Sequence, residues 1–226
     1  MCFSPQADLV GGAVVAALGV DAIRHVHRHH GHVAIAALPL VLGAHQLDES
    51  LVWWGLQGHV SASVGRVAMW VYLSIAFVLL PIYVPAAVLA LERSARRRWA
   101  MAPFVVLGAG VSAALLAAMI HGPVHVRLAP YHLSYGMRLG DGGLVVVLYV
   151  VAVCGALLCS SERPVVLFGV VNLVAIAVIA VLTVDGFTSV WCGWAAVSSG
   201  AIVVYLRVAA RARRRRAVGE LRSATT

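Results

Sequence analysis

The sequence predicts an all-α, polytopic membrane protein with seven transmembrane helices. Of its 226 residues, 62% are hydrophobic and 12% are charged, and the mean hydropathy is +0.92. A soluble domain has about 25% charged residues, so this composition excludes an ordinary soluble domain. Seven spans of about 20 residues need roughly 200 residues with their loops. We therefore assign residues 1–206 to one seven-helix transmembrane domain and residues 207–226 to a basic cytoplasmic tail.

Seven apolar stretches follow one another along the chain, separated by short polar or basic segments. Ser4 followed by Pro5 is a helix-start signal for the first of them. In the third stretch, Pro81 and Pro85 each remove a backbone hydrogen bond and predict a kink. The longest connection, 121–143, is predicted to be a loop. The predicted spans are about 7–23, 33–57, 67–91, 100–120, 144–159, 165–184 and 187–206.

The arginines predict the orientation in the membrane. All 17 basic residues are arginines, and cytoplasmic loops of membrane proteins are rich in such residues. Only Arg66, Arg127 and Arg138 fall in connections on one side. The other side therefore faces the cytoplasm, with the N-terminus outside and the C-terminus inside. The cytoplasmic arginines are Arg24, Arg28, Arg93, Arg96, Arg97, Arg98, Arg163, Arg207, Arg211, Arg213, Arg214, Arg215, Arg216 and Arg222.

A polar stretch interrupts the second span, where ionisable residues are a functional-site hypothesis by default. At 100° per residue, its side chains cover an arc of about 160° that faces the bundle in the outer half of the membrane. No predicted span has an arginine in its interior, so the carboxyl groups are expected to be protonated, paired or metal-bound. The opposite side, expected to face lipid, holds Leu47, Leu51 and Trp54. The predicted ligand or proton pocket consists of His45, Gln46, Asp48, Glu49 and Trp53.

A divalent metal such as zinc is one occupant of this pocket that the sequence allows, because imidazole and carboxylate groups suit such an ion. A polar core satisfied by hydrogen bonds and a proton or cation path are the alternatives. The spacing of His121 and His125 would place both on one helix face, although Gly122 and Pro123 disfavour a helix there. The candidate metal ligands are Glu49, His45, His121, His125, His132 and Cys2.

Two further groups of residues allow more than one interpretation. Cys2 and Cys192 are both predicted on the oxidising outer side, where a disulfide between them is an option. Residues 24–32 contain five histidines and two arginines. Such a tract resembles a metal-binding segment, but its cytoplasmic position and its arginines favour a solvated basic turn.

The chain resembles a family of uncharacterised microbial multi-span membrane proteins. These typically begin Met-Cys-Phe-Ser-Ala-Thr-Ala-Ser-Phe and carry Gln-x-x-Glu-Gly-x-Val-Trp in the second span. The opening residues 1–4 match here, as do Gln46, Glu49, Val52 and Trp53. Residues 5–8, Pro-Gln-Ala-Asp, depart from the usual small polar run, and Ser50 replaces the glycine. The resemblance implies no reaction. It favours Gln46, Glu49, Trp53 and Cys2 within the predicted site, and it implies a prokaryotic plasma membrane as the location.

For function, we expect an integral membrane protein whose outward-facing pocket binds a small ligand, a proton or an ion, as a carrier, a sensor or an assembly component. The alternative is a metal-dependent intramembrane hydrolase that acts on lipid, because the span number and orientation are similar to those of alkaline ceramidases. The last span lacks the histidine pair of those enzymes. Whether the protein is an enzyme is left open. Membrane lipid is an expected partner and nucleic acid is not, because the net charge of +8 is explained by basic cytoplasmic loops.

Overall fold

The described part of the chain consists of helices and one β-hairpin. The computed structural model describes residues 4–26, 30–129, 132–182, 194 and 197–208. A π-helical segment, Ser74–Leu79, joins α3 and α4. The helices are α1 (Pro5–Val26), α2 (His30–Leu56), α3 (Ala62–Leu73), α4 (Leu80–Leu91), α5 (Ala95–His121), α6 (Gly142–Leu158), α7 (Arg163–Leu182) and α8 (Val197–Val208).

Four of the described helices are long and apolar enough to cross a membrane. They are Pro5–Val26, the continuous rod Ala62–Leu91, Ala95–His121 and Arg163–Val181. α2 is 27 residues long, but its polar stretch lowers its mean hydropathy. α6 and α8 are apolar and shorter. The helical class predicted from the sequence is therefore confirmed, and four of its spans have the length and composition of a membrane crossing.

α1 and α2 pack in opposite directions with their backbones in contact. A Cβ atom added at Gly12 would lie 2.8 Å from the backbone nitrogen of Leu47, and one at Gly43 would lie 2.7 Å from the Cα atom of Ala16. One at Gly19 would lie 2.7 Å from the Cα of Leu40. Small residues permit this close approach. The expectation that Leu47 faces lipid is therefore wrong, because this residue packs against α1.

Of the two prolines in the third predicted span, Pro81 comes directly after a π-helical turn, whereas Pro85 lies inside α4. The amide of Leu80 bonds to the carbonyl of Ile75, five residues back, and Pro81 has no amide hydrogen to continue this pattern. The freed carbonyl of Ala76 instead accepts a hydrogen bond of 2.9 Å from the Tyr149 hydroxyl of α6. The widened turn thus ties this rod to a neighbouring helix.

The loop predicted between the fourth and fifth spans contains an antiparallel β-hairpin, which the sequence analysis missed. Its strands are β1 (Val124–Leu128) and β2 (Leu133–Met137), and Val126 pairs with Tyr135. Apolar side chains of both strands pack against a hydrophobic cluster at the ends of α2 and α3. The hairpin therefore covers the end of the bundle to which the polar stretch is closest.

At the opposite end of the bundle, the Glu92 carboxylate joins α4 to the turn between α6 and α7. It accepts hydrogen bonds from the Ser161 backbone amide at 2.7 Å, the Ser161 hydroxyl at 2.6 Å and the Ser160 hydroxyl at 3.1 Å. Burial raises the pKa of Glu92, but these hydrogen bonds and the Arg97 charge outweigh it and hold the pKa below its usual value. Ionised Glu92 therefore stabilises this end of the fold.

Candidate functional site

The polar stretch lies on a helix that is covered on several sides. The side chains of His45, Gln46, Glu49 and Ser50 are at most 5% exposed, and that of Glu49 is fully buried. α1 covers one side of α2 through the glycine contacts, and α3 covers another. The polar residues therefore lie inside the protein, as their arc on the helix predicts.

Three aromatic rings form a column that connects α2 with the hairpin. The imidazole of His45 stacks on the ring of Tyr72, with centroids 4.0 Å apart. The other side of Tyr72 stacks on Tyr135 of β2, with centroids 4.6 Å apart. Tyr72 is fully buried. Neither tyrosine was predicted from the sequence to belong to the site. The column shows how α3 and the hairpin fix the position of His45.

Asp48 differs from its polar neighbours because its side chain is only partly buried. It lines an open cavity of about 270 Å³ between α2 and α3. Ser63 contributes a hydroxyl group to the same cavity, and the rest of its wall is apolar. The lining residues are Asp48, Leu51, Ser63, Val64, Val67 and Ala68.

Several buried polar atoms of α2 have no hydrogen-bond partner among the described residues. They include Nε2 of His45, Oδ2 of Asp48 and Nε1 of Trp53. On an α-helix these three residues lie within an arc of about 140°. Each such atom costs about 1–3 kcal/mol. A native protein accepts that cost mainly where another group completes the site.

Asp8 is a second fully buried carboxyl residue close to this level, and the sequence analysis did not place it in the site. Gly12 lies against Leu47, so one further turn along both helices puts Asp8 level with Leu51. Glu49 is two residues from Leu51, a step of about 3 Å along the helix axis. The two buried acids therefore lie at similar depth. In the sequence, the only sign that Asp8 and Glu49 lie at similar depth is the spacing of the glycines in α1 that contact α2.

Of the predicted metal ligands that the structure describes, only His45 and Glu49 lie next to each other, about one turn apart on α2. His121 and His125 are exposed, and the His125 imidazole lies across Gly136 within the hairpin. His132 is half-buried just before β2, and Cys2 and Cys192 lie outside the described residues. Among the residues that the structure describes, no group of three or more His, Cys, Asp or Glu side chains is arranged to hold a metal ion.

The two segments on which the family resemblance depends lie beside each other. Ser4 ends the opening motif, and Trp53 ends the motif of the second predicted span. Both line one cavity of about 530 Å³, together with Gln57 and the end of β1. Trp53 is 4% exposed. The opening residues of the chain and the end of α2 thus form one structural unit.

A family model described as a family of unknown function (DUF6629) matches residues 1–219. The chain belongs to this family. The match extends from the opening motif through all described helices, so the membership predicted from residues 1–4, Gln46, Glu49 and Trp53 is confirmed. No curated protein and no solved structure gives a significant match.

Proposed function

We propose that this DUF6629 protein is an integral plasma-membrane protein whose α2 site takes up a proton or a small cation from the outer side. The site comprises His45, Gln46, Asp48, Glu49 and Trp53. In this proposal the chain crosses the membrane seven times, with its N-terminus outside, as the distribution of arginines indicates. The protein then acts as a carrier, a sensor or an assembly component of a prokaryotic membrane.

One observation carries the proposal: His45 and Asp48 each have a buried polar atom without a hydrogen-bond partner among the described residues. Both belong to the same face of one helix. A satisfied polar core would pair such atoms within the protein. A site that binds and releases a small ligand leaves them available to it.

The charges of the site indicate the kind of ligand. Asp48 and Glu49 are consecutive carboxyl residues, and a charged side chain in a membrane interior costs at least about 2.5–3.5 kcal/mol. No arginine forms a salt bridge with Asp48 in the part of the chain that the structure describes. A proton or a cation reduces the cost of these neighbouring acids, whereas an anion increases it.

The proposal is tested by ligand-dependent thermal stability. A ligand that binds only the folded protein at 100 times its dissociation constant adds about 2.7 kcal/mol. The wild-type protein in lipid nanodiscs should therefore change its melting temperature when pH is varied or when sodium chloride replaces an uncharged osmolyte. Glu49→Gln and Asp48→Asn should each reduce this response.

Asp141→Asn provides the matched control, because Asp141 is an exposed acid outside the site. This variant should respond like the wild type. If Glu49→Gln and Asp48→Asn also keep the full response to pH and sodium, the site does not bind a proton or cation and the proposal is wrong.

A further inference from the structure

We propose that the cavity beside Asp48 binds a small organic cation with apolar substituents, of the quaternary ammonium class. This inference rests on the proposed function and names the kind of cation that reaches the site. It depends on the lining of the cavity between α2 and α3, on its size and on the position of its single acidic group.

The residues that line the cavity favour an organic cation over a metal ion as the ligand. Asp48 and Ser63 are the two lining residues with side-chain oxygen atoms, and the other four are apolar. Ca²⁺ requires six to eight oxygen ligands, and Mg²⁺ requires an octahedral set. An ammonium ion with alkyl substituents needs one opposite charge and apolar contacts. Leu51, Val64 and Val67 offer such contacts in the cavity that Asp48 lines.

The size of the cavity limits the ligand. Its volume of about 270 Å³ is slightly below the roughly 300–1,000 Å³ of pockets for drug-sized molecules. A larger groove of about 630 Å³ follows the outer face of α3 and shares Ser63 and Val67 with the cavity. Arg66 lines this groove and not the cavity. The positive charge of Arg66 therefore does not occupy the position where the cation binds.

Choline is a suitable probe because its uncharged carbon analogue, 3,3-dimethyl-1-butanol, has the same shape and the same hydroxyl group. Binding to the full-length protein in nanodiscs is measured by isothermal titration calorimetry. The wild type should bind choline at least about tenfold more tightly than the alcohol, because only choline pairs with the carboxylate. Asp48→Asn should remove this preference by weakening choline binding.

Val67→Phe tests the location without changing any charge. Val67 is 63% exposed, so a larger side chain is accommodated by the fold and extends into the cavity mouth. This variant should also lose choline binding. Arg66→Gln should still bind choline, because removing a positive charge near the cavity does not weaken the binding of a cation.

Three outcomes overturn the inference: no choline binding by the wild type, equal binding of choline and the alcohol, or unchanged choline binding in both Asp48→Asn and Val67→Phe. If any one of these outcomes occurs while the melting temperature still responds to pH or sodium through Glu49, the proposed function stands and only the ligand class is wrong. If that response is absent as well, both proposals fail.

Discussion

The contact between α1 and α2 makes Gly43 a position where one methyl group has a large effect. A Cβ atom there would lie 2.7 Å from the Cα and 2.9 Å from the Cβ of Ala16. Overpacking costs about 1–3 kcal/mol, and the upper end applies because the obstacle is backbone. Part of this cost is offset, because alanine is more favourable than glycine within a helix by up to about 1 kcal/mol. Gly43→Ala should therefore lower the free energy of unfolding by about 2 kcal/mol.

Gly110 of α5 is the matched control, since a Cβ atom there meets nothing within 4 Å. Gly110→Ala should raise stability by up to about 1 kcal/mol. For a chain of this length, 1 kcal/mol shifts the melting temperature by about 2–4 °C, so the two variants should differ by about 6–12 °C. Thermal unfolding followed by circular dichroism in detergent measures this difference. A Gly43→Ala variant that melts at or above Gly110→Ala would refute the packing of α1 on α2.

Three other perturbations test separate parts of the structure. Tyr72→Ala should destabilise by about 3–5 kcal/mol through loss of a buried ring, whereas Tyr72→Phe keeps both stacks and should cost less than 1.5 kcal/mol, as chemical denaturation can show. Tyr149→Phe should cost about 1–3 kcal/mol by leaving the Ala76 carbonyl without its partner; an unchanged denaturation midpoint would argue against that hydrogen bond. Because the pKa of Glu92 is lowered in the fold, its stabilisation is complete above the usual glutamate pKa of about 4.3 and is lost as pH falls through the lower folded value. Melting temperature should thus fall less steeply with acid in Glu92→Gln than in the wild type, and parallel curves would contradict this role.

Most of the helices could be predicted from the sequence, because a long apolar stretch is a strong signal that depends only on neighbouring residues. The structure places α1, α2, α5, α6 and α7 close to the predicted bounds. Arg207, the first residue of the predicted tail, lies in α8 and pairs with Asp21 at 2.7 Å. Such a pairing depends on a distant partner that local composition does not contain.

The features that were missed depend on packing or on a short period. Each strand of the hairpin is only five residues long, and only β1 shows a partial alternation of half-buried and exposed residues. Its glycines and polar residues suggested a loop. The burial of Asp8 and the packing of Leu47 on α1 follow from the register of two helices. Hydropathy places a helix in the chain, but it does not state which helix covers which face.

The most direct test of the central claim is the accessibility of position 48 in intact cells. Asp48→Cys would be made in a variant without Cys2, Cys154, Cys159 and Cys192 and treated from outside with a membrane-impermeant, cationic methanethiosulfonate. The new thiol should be labelled from outside. In a separate variant that keeps Asp48 and carries Ser63→Cys, choline should slow the labelling of position 63. A thiol at position 48 that reacts only after the membrane is disrupted would contradict an outward-facing polar site on α2.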